Sequence, residues 1–185
     1  MFDATLRAHL LAIFHAGLRA ANPVEAVERH LHLDGDHLVL GKLTLDLESV
    51  DRIFLLGMGK ASAIMAKPVT ERLGSRVAGG IINVKYGHRY PLSGVEVMEA
   101  AHPVPDEAGF RGVRRMIRIL EETREDDLVI CLISGGGSAL APAPVPGLSL
   151  EDKKDVTQRL LDCGATIHEM NSVRKHLSRI KGGRL

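Results

Sequence analysis

Residues 128–133 read LVICLI, apolar at every position, and SGGGS follows at 134–138. A strand without polar alternation is buried on both faces, so its sheet must lie between two layers of helix. Three more short apolar runs suit the same sheet: RIFLLG at 52–57, GGIINVK at 79–85 and VEVMEA at 95–100. Helical patterns alternate with them. Residues 58–74 form one; residues 107–123 form another, with Phe110, Val113, Ile117 and Leu120 on one stripe. Residues 149–164 open on a Ser149/Asp152 capping box and close on Gly164. A last helix is predicted over 166–183, with Val173, Leu177 and Ile180 as its apolar stripe. This alternation predicts an α/β fold with a mostly parallel sheet.

The N-terminal residues 1–50 read as scaffold within one domain spanning 1–185. Phe2, Leu6, Leu10, Ile13, Phe14 and Leu18 recur at helical spacing, Asn22 and Pro23 start a second helix, and HLVLGKLTLDL at 37–47 reads as a small hairpin.

Charge excludes some partners. Lys and Arg number 24 against 23 Asp and Glu, so bulk electrostatics point to neither nucleic acid nor a membrane surface. Aromatics are 3% and Trp is absent, which leaves no stacking platform for single-stranded nucleic acid. Cys131 and Cys163 belong to no CxxC and read as reduced thiols. Arg7 and His9 interrupt the first apolar stretch, so it reads as neither signal peptide nor span. The expected location is the cytoplasm.

In an open α/β sheet, ligands bind beyond the carboxyl ends of the strands. Four polar or Gly-rich loops fall there. In GMGKAS at 57–62, Gly57 and Gly59 let backbone approach an anion, and Lys60 adds a charge. The dinucleotide fingerprint fails because its third glycine is Ser62, and no acid stands about 20 residues on, where the sequence is VAGGIINV. The P-loop pattern fails at Phe54 and Ala61. In NVKYGH at 83–88, Lys85 lies closest to the strand; His88 and the following Arg89 extend a basic loop. In AHPVPDE at 101–107, His102 adjoins a strand end and Asp106 can cap the next helix. In SGGGS, Gly135, Gly136 and Gly137 can form a nest of inward N–H groups, with Ser134 and Ser138 as hydroxyl donors. A linker would not abut a buried strand. On the last helix Asn171, Arg174, Lys175 and Ser178 are spaced to share a cationic face suited to an anion.

GMGKAS at 57–62, HPVPDE at 102–107, LISGGGSAL at 132–140 and NSVRKHLSRIKGGRL at 171–185, in this order, resemble the glycerate 2-kinase family that carries a MOFRL domain. Some of its members are labelled hydroxypyruvate reductases. The resemblance runs from about Leu6 to Leu185. It implies a Rossmann-like three-layer domain and ATP-dependent phosphorylation of D-glycerate to 2-phosphoglycerate with Mg2+. Lys60 would be catalytic, and Gly57, Gly59 and residues 134–138 would hold phosphate. Lys85, Asn171, Arg174, Lys175 and His176 would hold the substrate. The resemblance assigns no metal ligands and allows a homo-oligomer. Family chains are more than twice this long, so the sequence is expected to be their N-terminal portion, with the smaller C-terminal domain, which the kinase activity is expected to need, absent. Two other functions compete: reduction of hydroxypyruvate with NAD(P)H, and non-catalytic anion binding.

Overall fold

The structure, a computed structural model, describes residues 3–185, so Phe2 of the first apolar stripe lies outside it. Four parallel strands form the main sheet: β4 (Ile53–Met58), β5 (Val77–Lys85), β6 (Glu96–Ala100) and β7 (Leu128–Ile133), in the order β6-β5-β4-β7. Helix α3 (Ser62–Leu73) connects β4 to β5, and α4 (Glu107–Glu121) connects β6 to β7. The side-chain period of two sends alternate residues to opposite faces. Leu55, Ile82, Ile130 and Leu132 pack under α3 with Ala63, Ala66 and Val69. Leu56, Met58 and Ile81 pack under α4 with Val113 and Met116. Helices thus pack on both faces of the sheet, but β7 lies at its edge: of LVICLI only Ile130 and Leu132 are buried, both under α3, and Ile133 is exposed, so the expected burial of this strand on both faces is not met.

Strand order explains where a ligand fits. From β4 the chain goes outward through β5 to β6, then returns to lay β7 on the other side of β4. The loops after β4 and β7 leave the sheet in opposite directions and open a crevice between them, the topological switch point of a doubly wound sheet.

Asn83 ties the layers together near that edge. Fully buried on β5, it donates from Nδ2 to the carbonyls of Gly109 (3.0 Å) and Leu140 (2.8 Å). Helix α4 can lie this close only because Gly112 has no side chain; a Cβ there would sit 2.0 Å from Asn83 Oδ1. The expected caps are in place: Asn22 with Pro23 at α2 (Pro23–Glu28), Asp106 at α4, and the Ser149/Asp152 box at α6 (Leu150–Asp162).

The structure departs from the sequence reading in three further places. The hairpin is a three-stranded antiparallel meander, β1 (Leu31–Asp34), β2 (His37–Leu40) and β3 (Leu43–Asp46). Its first turn is the two-residue loop Gly35-Asp36, with Gly35 at φ 58° in the first central position, a hairpin signal of the Gly-Asp kind. Helix α1 (Ala4–Ala20) has the expected spacing but buries no residue. The last helix, α7 (Ile167–His176), stops early, and Ser178 is wholly buried in an antiparallel bridge with Pro144. No described helix is long and apolar enough to cross a membrane.

Candidate functional site

The crevice is built by two glycine loops stitched to each other. Lys60 donates its backbone N–H to the Gly135 carbonyl at 2.9 Å, and Ala61 donates to Ser134 Oγ at 2.9 Å. Ser62 Oγ lies 3.2 Å from Ser134 Oγ. Gly59 makes the approach possible: at φ +137°, a Cβ there would lie 2.2 Å from Ser134 Oγ and 2.5 Å from its carbonyl oxygen. Gly137 backs onto Met58 in the same way, with the Met58 carbonyl 2.9 Å from where a Cβ would be.

This stitching changes the roles expected of the first loop. Gly57 is a residue of β4, packed against Ile82 and Leu132, not a loop residue. Gly59 gives its N–H to the Asn83 carbonyl. The first loop thus spends its amides on structure, and its glycines serve close packing. The second loop is different. Gly137 donates to Ser134, but Gly135, Gly136 and Ser138 have N–H groups with no partner among the described residues. Gly136 sits at φ +91° and faces two side chains. From its Cβ position, His102 Nε2 is 3.0 Å away and Lys60 Cε 3.2 Å.

Cations converge here. Lys60 is exposed, and its carbonyl lies 3.1 Å from His88 Nδ1. Burial holds the His102 pKa below its usual value, and the charges of Lys60, Lys85 and Arg174 depress it further, so the ring is neutral at pH 7. The charges of Lys60, Lys85 and Arg174 thus all act on one imidazole, although they come from three separate parts of the chain. His102 was only a secondary candidate in the sequence; its place against Gly136 makes it central.

Helix α7 supplies less than its spacing promised. Its inward side carries Met170 and the half-buried Arg174, followed by Leu177 after the helix end. Asn171, Lys175 and His176 are exposed, and His176 Nδ1 turns back to the Ser172 carbonyl at 2.6 Å. A reading that sorted this helix into charged and apolar faces therefore misplaced it.

Two cations went unnoticed. Lys153 on α6 is 3% exposed, and its Nζ donates to the Leu177 carbonyl at 3.3 Å. Lys181 donates to the Ala141 carbonyl at 3.1 Å. Burial pushes both ammonium pKa values from 10.5 to about 8; Arg174 adds to the effect on Lys153, and Lys153 and Arg174 add to that on Lys181. Folding thus opposes their charging. Below about pH 8 the penalty is full, and stability rises as pH climbs from about 8 toward 10.5, where the unfolded chain binds more protons. Denaturant titrations across that window check it: the rise shrinks in Lys153→Met.

The cluster of three carboxylates lies elsewhere. Asp51, Asp126 and Asp127 cluster just before β4 and β7, at the opposite end of the sheet, and Arg52 clasps Asp127 at 2.9 and 2.6 Å. At the crevice edge, Asp106 caps α4 through Gly109 and accepts from the Tyr86 hydroxyl. The residues lining the crevice are cations, hydroxyls and amides, a donor set that does not fit Mg2+.

Fold and crevice define an open, doubly wound α/β domain. The chain belongs to the family described as "Domain of unknown function (DUF4147)", whose pattern matches residues 9–185. It is similar to the glycerate 2-kinase of Pyrococcus horikoshii, 40% identical over 176 residues, covering 95% of this chain and 39% of that protein. The D-glycerate 2-kinase of Thermotoga maritima is 45% identical over 144 residues, covering 77% of this chain and 34% of that protein. The crystal structure of Thermotoga maritima glycerate kinase superposes with a TM-score of 0.81 at 38% identity, covering 98% of this chain and 41% of that one. The chain therefore spans between one third and two fifths of the length of these relatives.

Proposed function

We propose that this chain forms one wall of a kinase site that transfers the γ-phosphoryl group of ATP to the 2-hydroxyl of D-glycerate, giving 2-phosphoglycerate. The observation that carries the reading is the pair of stitched glycine loops at the switch point. They present the unpartnered N–H groups of Gly135, Gly136 and Ser138 beside Lys60. Names of relatives that act on glycerate support the choice of acceptor.

Phosphoryl transfer depends on positioning and charge neutralisation. The amides of residues 135–138 hold phosphate oxygens, and Lys60 neutralises charge that develops on the transferred group. Neutral His102 takes the proton as the acceptor oxygen bonds to phosphorus and ADP leaves. Lys85 adds to the field on the nucleotide side, and Arg174 orients the acceptor's carboxylate, bidentate by its fork geometry. Mg2+ would need carboxylates from outside the residues described at the crevice.

Reduction of hydroxypyruvate finds no such support. A dinucleotide fold places its ribose-binding acid at a strand end. Here β5 ends in Lys85, and Ser62 in the third glycine position is buried against Ser134. Two assays on the full-length protein that contains this domain separate the readings. ADP release on adding D-glycerate and ATP–Mg2+ is expected; NAD(P)H consumption with hydroxypyruvate, without ADP release, would overturn the kinase reading. Binding of anions with neither activity would leave an anion-binding domain.

A further inference from the structure

Three loops meet at the crevice, and one buried residue holds all three. Asn83 lies near the end of β5, the strand beside β4, and is wholly buried. Its carbonyl accepts the N–H of Gly59 at 3.1 Å, which fixes the loop after β4. Its side-chain Nδ2 donates to the Leu140 carbonyl at 2.8 Å and to the Gly109 carbonyl at 3.0 Å. Leu140 ends α5 (Gly137–Leu140), the single helical turn that the SGGGS loop opens, with Gly136 as its N-cap. Gly109 lies in the first turn of α4 and gives its own N–H to Asp106 at 2.9 Å. Only Pro103, Val104 and Pro105 separate Asp106 from His102, and the fixed φ of each proline stiffens that span.

Helices α4 and α5 touch at this amide: a Cβ on Gly109 would lie 3.0 Å from the Leu140 carbonyl oxygen. The orientation of the amide follows from its neighbours, since both are carbonyls and need donors. Oδ1 is then buried against Gly112 with no partner among the described residues. A stranded acceptor is unfavourable, and an apolar side chain would avoid it. In return the amide supplies two donors at one point. One goes to the helix behind the phosphate loop, the other to the helix behind His102.

We propose that Asn83 is a positioning residue for phosphoryl transfer: through Leu140 and Gly109 its side chain fixes the amides of residues 135–138 against the His102 ring. The inference rests on the kinase reading above. The contact being fixed is close, with His102 Nε2 3.0 Å from where a Gly136 Cβ would be. The loop amides must face phosphate while the imidazole faces the acceptor hydroxyl, so displacing either helix misaligns the reacting groups; a misplacement of about 1 Å can cost on the order of 10²-fold in rate. The Asn83 side chain bonds α4 and α5, whereas Arg174 stands on α7, so binding of the acceptor's carboxylate is set separately.

Steady-state kinetics and amide hydrogen exchange on a full-length protein that contains this domain test this with Asn83→Leu, Asn83→Asp and Ile81→Ala. Leucine keeps the branching of the side chain and removes both donors. Ile81, two residues earlier on the same face of β5, is the packing control: it is buried under α4 and its side chain has no hydrogen-bonding group. Asn83→Leu should raise KM for ATP about tenfold, lower kcat about tenfold or more and leave KM for D-glycerate within about twofold. Exchange at Gly137, Ala139 and Leu140, whose N–H groups are bonded within the loop and α5, should quicken. Asn83→Asp keeps the shape and, with its buried carboxyl protonated, one donor, so it should fall between. Ile81→Ala should lower the melting temperature and leave both KM values as in the wild type, because losing folded molecules reduces only Vmax. Wild-type KM for ATP in Asn83→Leu, or exchange in α5 no faster than in Ile81→Ala, overturns the positioning role. If Asn83→Leu does not fold, the same comparison is made with Asn83→Asp. If the wild type releases no ADP, the kinase reading falls, and exchange in α5 alone decides whether Asn83 anchors the loop.

Discussion

In a full-length protein that contains this domain, Lys60→Ala lowers turnover with D-glycerate and ATP by about 10²–10³-fold and leaves the melting temperature close to that of the wild type. The two halves of this expectation have separate causes. The Lys60 side chain is exposed and forms no ion pair among the described residues, so its loss costs little stability, on the order of 0.5 kcal/mol. Only its backbone is structural, through the Gly135 and His88 contacts, and alanine keeps that backbone. The ammonium end lies beside Gly136, where a transferred phosphoryl group would carry its charge. Steady-state kinetics with a melt on the same sample decide the matter. Near-normal turnover removes Lys60 from the mechanism.

Gly59→Ala has the largest expected effect on the architecture of the site. The new methyl would meet Ser134 Oγ at 2.2 Å and the Ser134 carbonyl carbon at 2.7 Å, and φ +137° is unfavourable for any L side chain. Backbone cannot yield as a flexible side chain can, so the two loops must part. The cost is about 2–4 kcal/mol, from overpacking and backbone strain together. Both the Lys60–Gly135 and Ala61–Ser134 hydrogen bonds lie across the separation, so phosphate binding should fail even in the fraction that stays folded. Denaturant unfolding gives the first quantity, and ATP titration gives the second. By contrast, Gly135→Ala meets nothing within 4 Å and should be mild in both.

The sheet was legible because its signal is local. The apolar runs marked all four strands, although LVICLI overstated its burial: strand order puts it at the sheet edge, with Ile133 exposed. The caps at Asn22, Asp106 and Ser149 were legible for the same reason, since a cap needs only its next three residues. The site was only partly legible. That the loops after β4 and β7 meet depends on strand order, which no single segment encodes. Hence Gly57 and Gly59 looked like anion donors, whereas β4 pairing and contact with Ser134 use them for structure. Lys153 and Lys181 were invisible for a related reason. A lysine among charged helix residues reads as solvated, and its burial follows from how the chain packs after Pro144 bridges Ser178. Of the polar residues singled out on α7, only Arg174 is partly buried, whereas Asn171, Lys175 and His176 are exposed.

The central claim is that the loop at 134–138 holds phosphate through its backbone. Titrating the ¹⁵N-labelled protein with ATP–Mg2+ and following the amide resonances reads this most directly. The account predicts that Gly135, Gly136 and Ser138 shift the most, as their unpartnered N–H groups acquire acceptors, while Gly59 and Gly137, already bonded, move less. Unperturbed resonances for residues 134–138 at saturating ATP, or shifts confined to another face of the sheet, would contradict it.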